Sequence, residues 1–396
     1  MKKLFIICVL VSIFLIPFMA FAADNTGVTD KEVTIGITLP MSGPAAFWGA
    51  LGLGAKAWAG HVNDQGGING RRIKILLKDD GYNPARSMAN LQAFKDKVLA
   101  VNIMVGTANA NASKDFFAAN KIPLIMPYVS VRIWASMPRE KVRYVFATYP
   151  DYEDQGIFVA NYAINQLGSK KIAVFYQNDD YGKPGLTGAE KALKASPGKA
   201  KLVGAVPYEL PERALGTHAL KLKESGADTV ILNPTPLHGS LIIKEMAKVG
   251  YRPKLLTVFP MKDPVMFKLL GELWEGVYVT FPGMTGVPGS SPIVDKVVDI
   301  LLKYEPKLKG KEASGLDGAM GMMHLLQGMK NAGSNLTRER LVQGMEQIKD
   351  WKPQGIGAPV TYGPDRHHGN NALLMGQAKG GRAVALTDWT FFKTMF

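Results

Sequence analysis

The chain has 396 residues, a formal net charge of +14 and a single cysteine, Cys8. That length leaves room for two domains with cores large enough to hold without disulfides, and a lone cysteine inside an apolar leader excludes a thiol nucleophile or a cysteine metal site from the mature chain. The 47 Lys and Arg residues are scattered rather than gathered into blocks interleaved with aromatics, so the charge reads as a solvated basic surface and not as a nucleic-acid footprint.

Residues 1–23 read as a signal peptide. Lys2 and Lys3 precede an apolar run over 4–19, and Ala20-Phe21-Ala22 followed by Ala23 forms a cleavage signal. Pro17 and the shortness of the run argue against a retained anchor, and no lipobox precedes Cys8. No later stretch reaches the roughly 18 uninterrupted apolar residues of a membrane span. An exported, periplasmic protein is expected.

From there the pattern alternates strand and helix. Residues 33–39 form an alternating, β-rich strand, and Pro40, Ser42-Gly43-Pro44, Phe47 and Trp48 lead out of it into a helix over 50–65. Gly66-Gly67-Ile68-Asn69-Gly70 is a turn before a strand at 72–77. Asn83 at the cap and Pro84 in the first turn open a helix over 84–97. Buried strands follow at 98–105 and 122–126, with a helix over 113–120 between them.

Around Thr148-Tyr149-Pro150 the pattern pauses and restarts. Strands at 171–176, 201–208, 229–232 and 254–258 alternate with helices at 154–167, 185–195, 219–225 and 240–249. A strand at 277–280 and three helices, 294–304, 316–331 and 338–348, come next. The tail reads as a hairpin of 360–362 and 372–377 around Gly363-Pro364-Asp365. Such a succession of βα units predicts mostly parallel sheets covered on both faces. The three late helices have no sheet of their own and are expected back on the first unit.

No catalytic constellation emerges. There is no G-x-S-x-G elbow, no phosphate loop and no H-E-x-x-H. Asp79-Asp80 and Asp179-Asp180 follow strands and read as turn and cap residues. The adjacent pair His367-His368 reads as solvated. Gly52-Leu53-Gly54-Ala55-Lys56-Ala57 fits a dinucleotide-like string but lies 13 residues past Leu39, inside a helix, where small residues serve close packing.

An ordered set of motifs gives a family resemblance. Ile35-Gly36-Ile37 with Met41-Ser42-Gly43-Pro44 resembles the opening of leucine/isoleucine/valine-binding proteins, the periplasmic receptors of branched-chain amino acid ABC transporters. Asn63-Asp64-Gln65-Gly66-Gly67-Ile68-Asn69-Gly70, Lys78-Asp79-Asp80, Asn83-Pro84, Ile122-Pro123-Leu124-Ile125-Met126-Pro127, Asp154-Gln155-Gly156 and Asp180-Tyr181-Gly182 follow in register over essentially the whole mature chain. The resemblance implies an α/β fold of two Rossmann-like lobes with parallel-type sheets flanked by helices, joined by a three-crossing hinge. Lobe 1 is expected to comprise 24–148 with 282–361, and lobe 2 149–281 with 362–396.

Function follows by the same analogy: a monomer without cofactor or catalysis that closes on a small ligand and delivers it to an inner-membrane ABC permease. Trp48 falls at the cleft mouth. The family's hydroxyl positions fall on Thr107, beside Ala108 and Asn109, and on Ser130, preceded by Tyr128. Tyr181 is the second-lobe tyrosine. Two positions depart from the pattern: Phe259 stands where amino-acid receptors place a carboxylate for the ligand ammonium, and Thr235 replaces an aromatic. A buried ammonium without an acid is costly. The expected ligand is therefore an apolar or aromatic carboxylate, or a similar molecule without an α-ammonium. The alternatives are a branched-chain amino acid receptor drawing its acid from Asp263 or Asp151, and a ligand sensor for a separate signalling partner.

Overall fold

The computed structural model describes residues 25–284 and 286–396, so the signal peptide expected at 1–23 lies outside the described residues. Strand β1, Glu32–Leu39, buries Val33, Ile35, Ile37 and Leu39 completely. It pairs in parallel with β2, Arg72–Asp79, from Glu32 opposite Arg72 to Leu39 opposite Asp79. On its other side lies β3, Ala100–Met104, followed by β4, Leu124–Ile125, and β5, Val145–Phe146. The order β2-β1-β3-β4-β5 is doubly wound, with its reversal between β1 and β3.

The second sheet repeats the plan. Strands β6, Lys171–Gln177, β7, Lys201–Tyr208, β8, Thr229–Asn233, and β9, Lys254–Thr257, are parallel, with β6 between β7 and β8. Strand β10, Tyr278–Pro282, extends it beside β9. The helices Pro292–Tyr304 and Glu312–Ala332 return to pack on the first-sheet helix Gly49–Asp64. Close backbone approach makes that packing possible. A Cβ on Gly54 would lie 1.9 Å from the Gly315 carbonyl oxygen, and one on Gly318 equally close to that of Leu51. Gly54 thus serves helix contact, while a Cβ on Gly52 would meet Leu77 and Leu39 of the first sheet.

Two expectations are corrected. The tail hairpin does not join 360–362 to 372–377. Strand β11, Ala372–Lys379, runs antiparallel to β10 and turns through Gly380-Gly381, both at positive φ, into β12, Arg382–Ala385; β13, Thr390–Phe391, pairs with β11 as well. Val360 bridges to Trp351, and Gly363-Pro364-Asp365 closes only a local turn from Gly363 to Arg366. The double glycine supplies the left-handed backbone of a two-residue hairpin, which Pro364 does not. Second, His367 and His368 are fully buried where the chain passes back beside Ala147. His367 stacks on Phe146 at 3.9 Å, and His368 donates Nε2–H to the Tyr149 carbonyl at 2.9 Å. Burial keeps both rings neutral, with pKa values lowered to about 3 and about 4.

Candidate functional site

Ligands of doubly wound sheets sit beyond the carboxyl ends of the strands, at the reversal of strand order. Here two such points converge on one cavity. From the first sheet come Trp48 after β1, Tyr82 after β2, Val105-Gly106-Thr107 after β3 and Tyr128 after β4. From the second come Tyr181 after β6 and Thr235 after β8, while Tyr149 and Tyr152 enter where the chain passes between the sheets. The space they leave is about 20 Å³.

Local chemistry aims each ring. The Asp79 carboxylate accepts from Met41 N (2.8 Å), from the Ser42 hydroxyl and from Gly81 N, which fastens the loop leading to the short 3-10 helix Gly43–Trp48. That helix touches helix Pro236–Lys248 of the opposite sheet's layer. Both sheets then use the same device. Asp80 accepts from Tyr82 N at 2.9 Å, and Asp179 accepts from Tyr181 N at 2.9 Å, so an Asp-x-Tyr turn delivers one tyrosine from each side. Tyr82 has φ +60, a left-handed backbone that a bulky residue rarely adopts and that costs of order 1–3 kcal/mol. Thr235 caps helix Pro236–Lys248, with its hydroxyl 2.6 Å from His238 Nδ1.

Burial governs the electrostatics. It raises the pKa of Tyr82, Tyr128, Tyr149, Tyr152 and Tyr181, so all five phenols stay protonated. It also pushes Asp80 up to about 6. Among the described residues, no Asp, Glu, Lys, Arg or His lines the cavity.

The sequence-derived residues divide. Trp48, Thr107, Tyr128, Tyr181 and Thr235 come together on the cavity wall. Ser130 stands behind it, donating its backbone N–H to Thr107 Oγ1, and faces an adjoining cleft-mouth pocket with Arg132 and Lys183. Phe259 is a ring behind the wall, 5.0 Å from Tyr149. Ala108 and Asn109 do not line the cavity: Ala108 is solvent-exposed, and the Asn109 amide turns inward to donate to the Val105 carbonyl. Both follow from the helical turn that starts at Thr107, which rotates successive side chains away from its first residue.

Neither substitute acid faces the cavity. Asp263 accepts from the Ser314 backbone and hydroxyl, and Asp151 is bidentate with Arg132 at 2.8 Å while capping helix Tyr152–Asn165. Tyr82, Tyr149 and Tyr152 escaped the sequence reading. The repeated Asp-x-Tyr spacing after β2 and β6 was a signal for the first; nothing local marks the other two.

With this geometry in place, the comparisons are decisive for the family. A family model described as periplasmic binding protein matches residues 32–383. The chain belongs to the periplasmic binding protein family. Among curated members, it is 27% identical over 319 residues to a Leu/Ile/Val-binding protein homolog 1 from Brucella suis biovar 1, covering 78% of this chain and 81% of that one. Among solved periplasmic binding protein structures, a fatty acid ABC transporter substrate-binding protein from Thermomonospora curvata superposes with a TM-score of 0.82 at 20% identity, covering 93% and 95% of the two chains. A solute-binding protein from R. palustris in complex with 4-hydroxybenzoate does so with 0.78 at 22%, covering 92% and 98%. The type I fold is thus shared across members whose names carry different ligands.

Proposed function

We propose that this periplasmic binding protein is the receptor of an ABC importer, capturing a small organic ligand without an α-amino-acid head group in its aromatic interlobe cavity. It acts in the periplasm after cleavage of its leader, binds without chemistry, and hands its ligand to an inner-membrane permease as a monomer. One observation carries the ligand class. The position expected to hold the ammonium-binding acid is Phe259, whose ring packs on Tyr149, and among the described residues no carboxylate lines the cavity. A primary α-ammonium there would be desolvated without a partner. An apolar or aromatic carboxylate, the sequence expectation, is one ligand of the permitted kind.

A space of about 20 Å³ holds one water, so any organic ligand requires the walls to separate. The proposed moving units are 24–148 with 282–361 and 149–281 with 362–396, turning about the three crossings. A thermal-shift screen of amino acids, aliphatic acids, aromatic acids and other small organics tests the ligand class, because a ligand at a hundredfold excess over its Kd adds about 2.7 kcal/mol. Small-angle scattering tests closure. Stabilisation by leucine, isoleucine or valine alone would refute the ligand class, and an unchanged radius of gyration on saturation would refute the hinge.

A further inference from the structure

Resting on that receptor reading, we infer that the ligand's buried end is a compact organic cation, an alkylated ammonium of the trimethylammonium kind, held by ring faces in a cage of Trp48, Tyr82, Tyr128, Tyr149, Tyr152 and Tyr181. Six aromatic side chains around one cavity far exceed what a greasy wall requires. Their mutual angles are informative. Tyr128 and Tyr149 lie 5.0 Å apart at 59°, Tyr149 and Tyr152 5.8 Å apart at 79°, and Tyr152 and Tyr181 5.2 Å apart at 88°. A flat aromatic ligand fits a slot between parallel faces. Rings set nearly perpendicular to one another instead enclose a rounded group on several sides, the geometry in which ring quadrupoles attract a quaternary ammonium.

The polar atoms point the same way. An anionic head group would need hydrogen-bond donors, but the Tyr128 hydroxyl is given to the Asp317 carbonyl and the Tyr181 hydroxyl to the Pro234 carbonyl, both outside the cavity. Thr235 Oγ1 is engaged with His238, while Thr107 Oγ1 accepts from Ser130 N and keeps its own proton to donate. The adjoining pocket that shares Thr107 carries Arg132 and Lys183 with Glu153 and Asp180, so it adds no net charge at the cleft mouth. Asp80 and Asp179 each hold the backbone of a cage tyrosine; Asp317 accepts from the Tyr128 hydroxyl through its backbone carbonyl, its carboxylate being paired with Lys262. A primary ammonium demands a charged acceptor, and none lines this wall among the described residues; an alkylated one does not, so the absence of a lining carboxylate and the preference for a cation are compatible.

The test is calorimetric titration of the full mature protein with choline, with its neutral isostere in which a quaternary carbon replaces the nitrogen, and with benzoate. The cation should bind at least about tenfold more tightly than the isostere. Tyr152→Phe should keep that ratio and Tyr152→Leu should reduce it; because the ratio is read within one protein, it is insensitive to any change in folding stability. Equal binding of cation and isostere, or tighter binding of benzoate, would overturn the inference and leave the receptor reading standing. Binding of none of the three, together with no hit in the wider screen of small organics, would overturn both.

Discussion

Lys262 and Asp317 form an ion pair with both side chains almost completely buried, between the turn after β9 and helix Glu312–Ala332 of the first-sheet layer. Beside it, Asp263 accepts from Ser314 of the same helix. The pair therefore spans the two halves that the cavity separates, one residue behind Tyr128. Removing one charge of a buried pair leaves the other uncompensated, typically at about 3–5 kcal/mol, whereas replacing both with apolar residues is often neutral. Lys262→Met should destabilise the protein strongly in chemical denaturation, and Lys262→Met with Asp317→Leu should recover most of the loss. A single variant as stable as the parent would show that the halves separate readily enough for Asp317 to hydrate.

Glycine packing gives a second expectation. A methyl on Gly54 meets the Gly315 backbone, which cannot turn aside, whereas one on Gly52 meets the flexible Leu77 side chain at 2.9 Å. Gly54→Ala should cost at least the 1–3 kcal/mol typical of overpacking, and Gly52→Ala less, aided by alanine's better helix propensity of about 1 kcal/mol. Reversal of that order in denaturation midpoints would contradict the observed helix contact.

A third concerns acid. His324 lies fully buried in helix Glu312–Ala332, donates Nδ1–H to the Met320 carbonyl and meets Trp351 edge to face. Desolvation by burial lowers its pKa from 6.5 to about 4. The unfolded chain therefore binds a proton that the folded one does not, so its contribution is complete above pH 6.5 and is lost as pH falls toward 4. Burial raises Asp80 and Asp263 to about 6, and these work in the opposite direction. The difference between parent and His324→Leu isolates the histidine: the variant's stability should fall less steeply across that window, by at most one proton, about 1.4 kcal/mol per pH unit. Parallel curves would mean that the ring protonates within the folded state.

Much of the architecture was legible because it is written locally. Apolar alternation over β1, the Asn83-Pro84 cap and the repeated strand-helix rhythm each depend on neighbours in sequence, and the two doubly wound sheets follow from them. What failed depends on distant pairing. Gly363-Pro364-Asp365 is a strong turn signal, yet the partner of β11 is β10, about ninety residues earlier. His367 and His368 are polar by type and buried only because Phe146 and Tyr149 arrive beside them. The site divides the same way. Tyr181 and Trp48 follow strands and were found; Tyr149 and Tyr152 lie where the chain passes between sheets, and their facing direction is set by tertiary contact alone.

Trp48 tests the site itself. Its residual exposure is 7%, and it belongs at once to the first-sheet core and to the cavity wall. A large aromatic sealed wholly within one core costs about 3–5 kcal/mol when cut to alanine. The 3-10 helix that carries this residue also touches Pro236–Lys248 of the opposing half, and the cavity it lines includes Tyr181 and Thr235 from that half. Trp48→Ala should therefore lose less than about 3 kcal/mol of ligand-free stability, yet weaken binding of any ligand that the screen establishes by about 2 kcal/mol or more, as expected of a central aromatic contact. Denaturation without ligand and calorimetry with it separate the two effects. A full core penalty with unchanged intrinsic affinity would make Trp48 a packing residue, whereas normal stability with affinity lost would place its whole energetic role in the cavity.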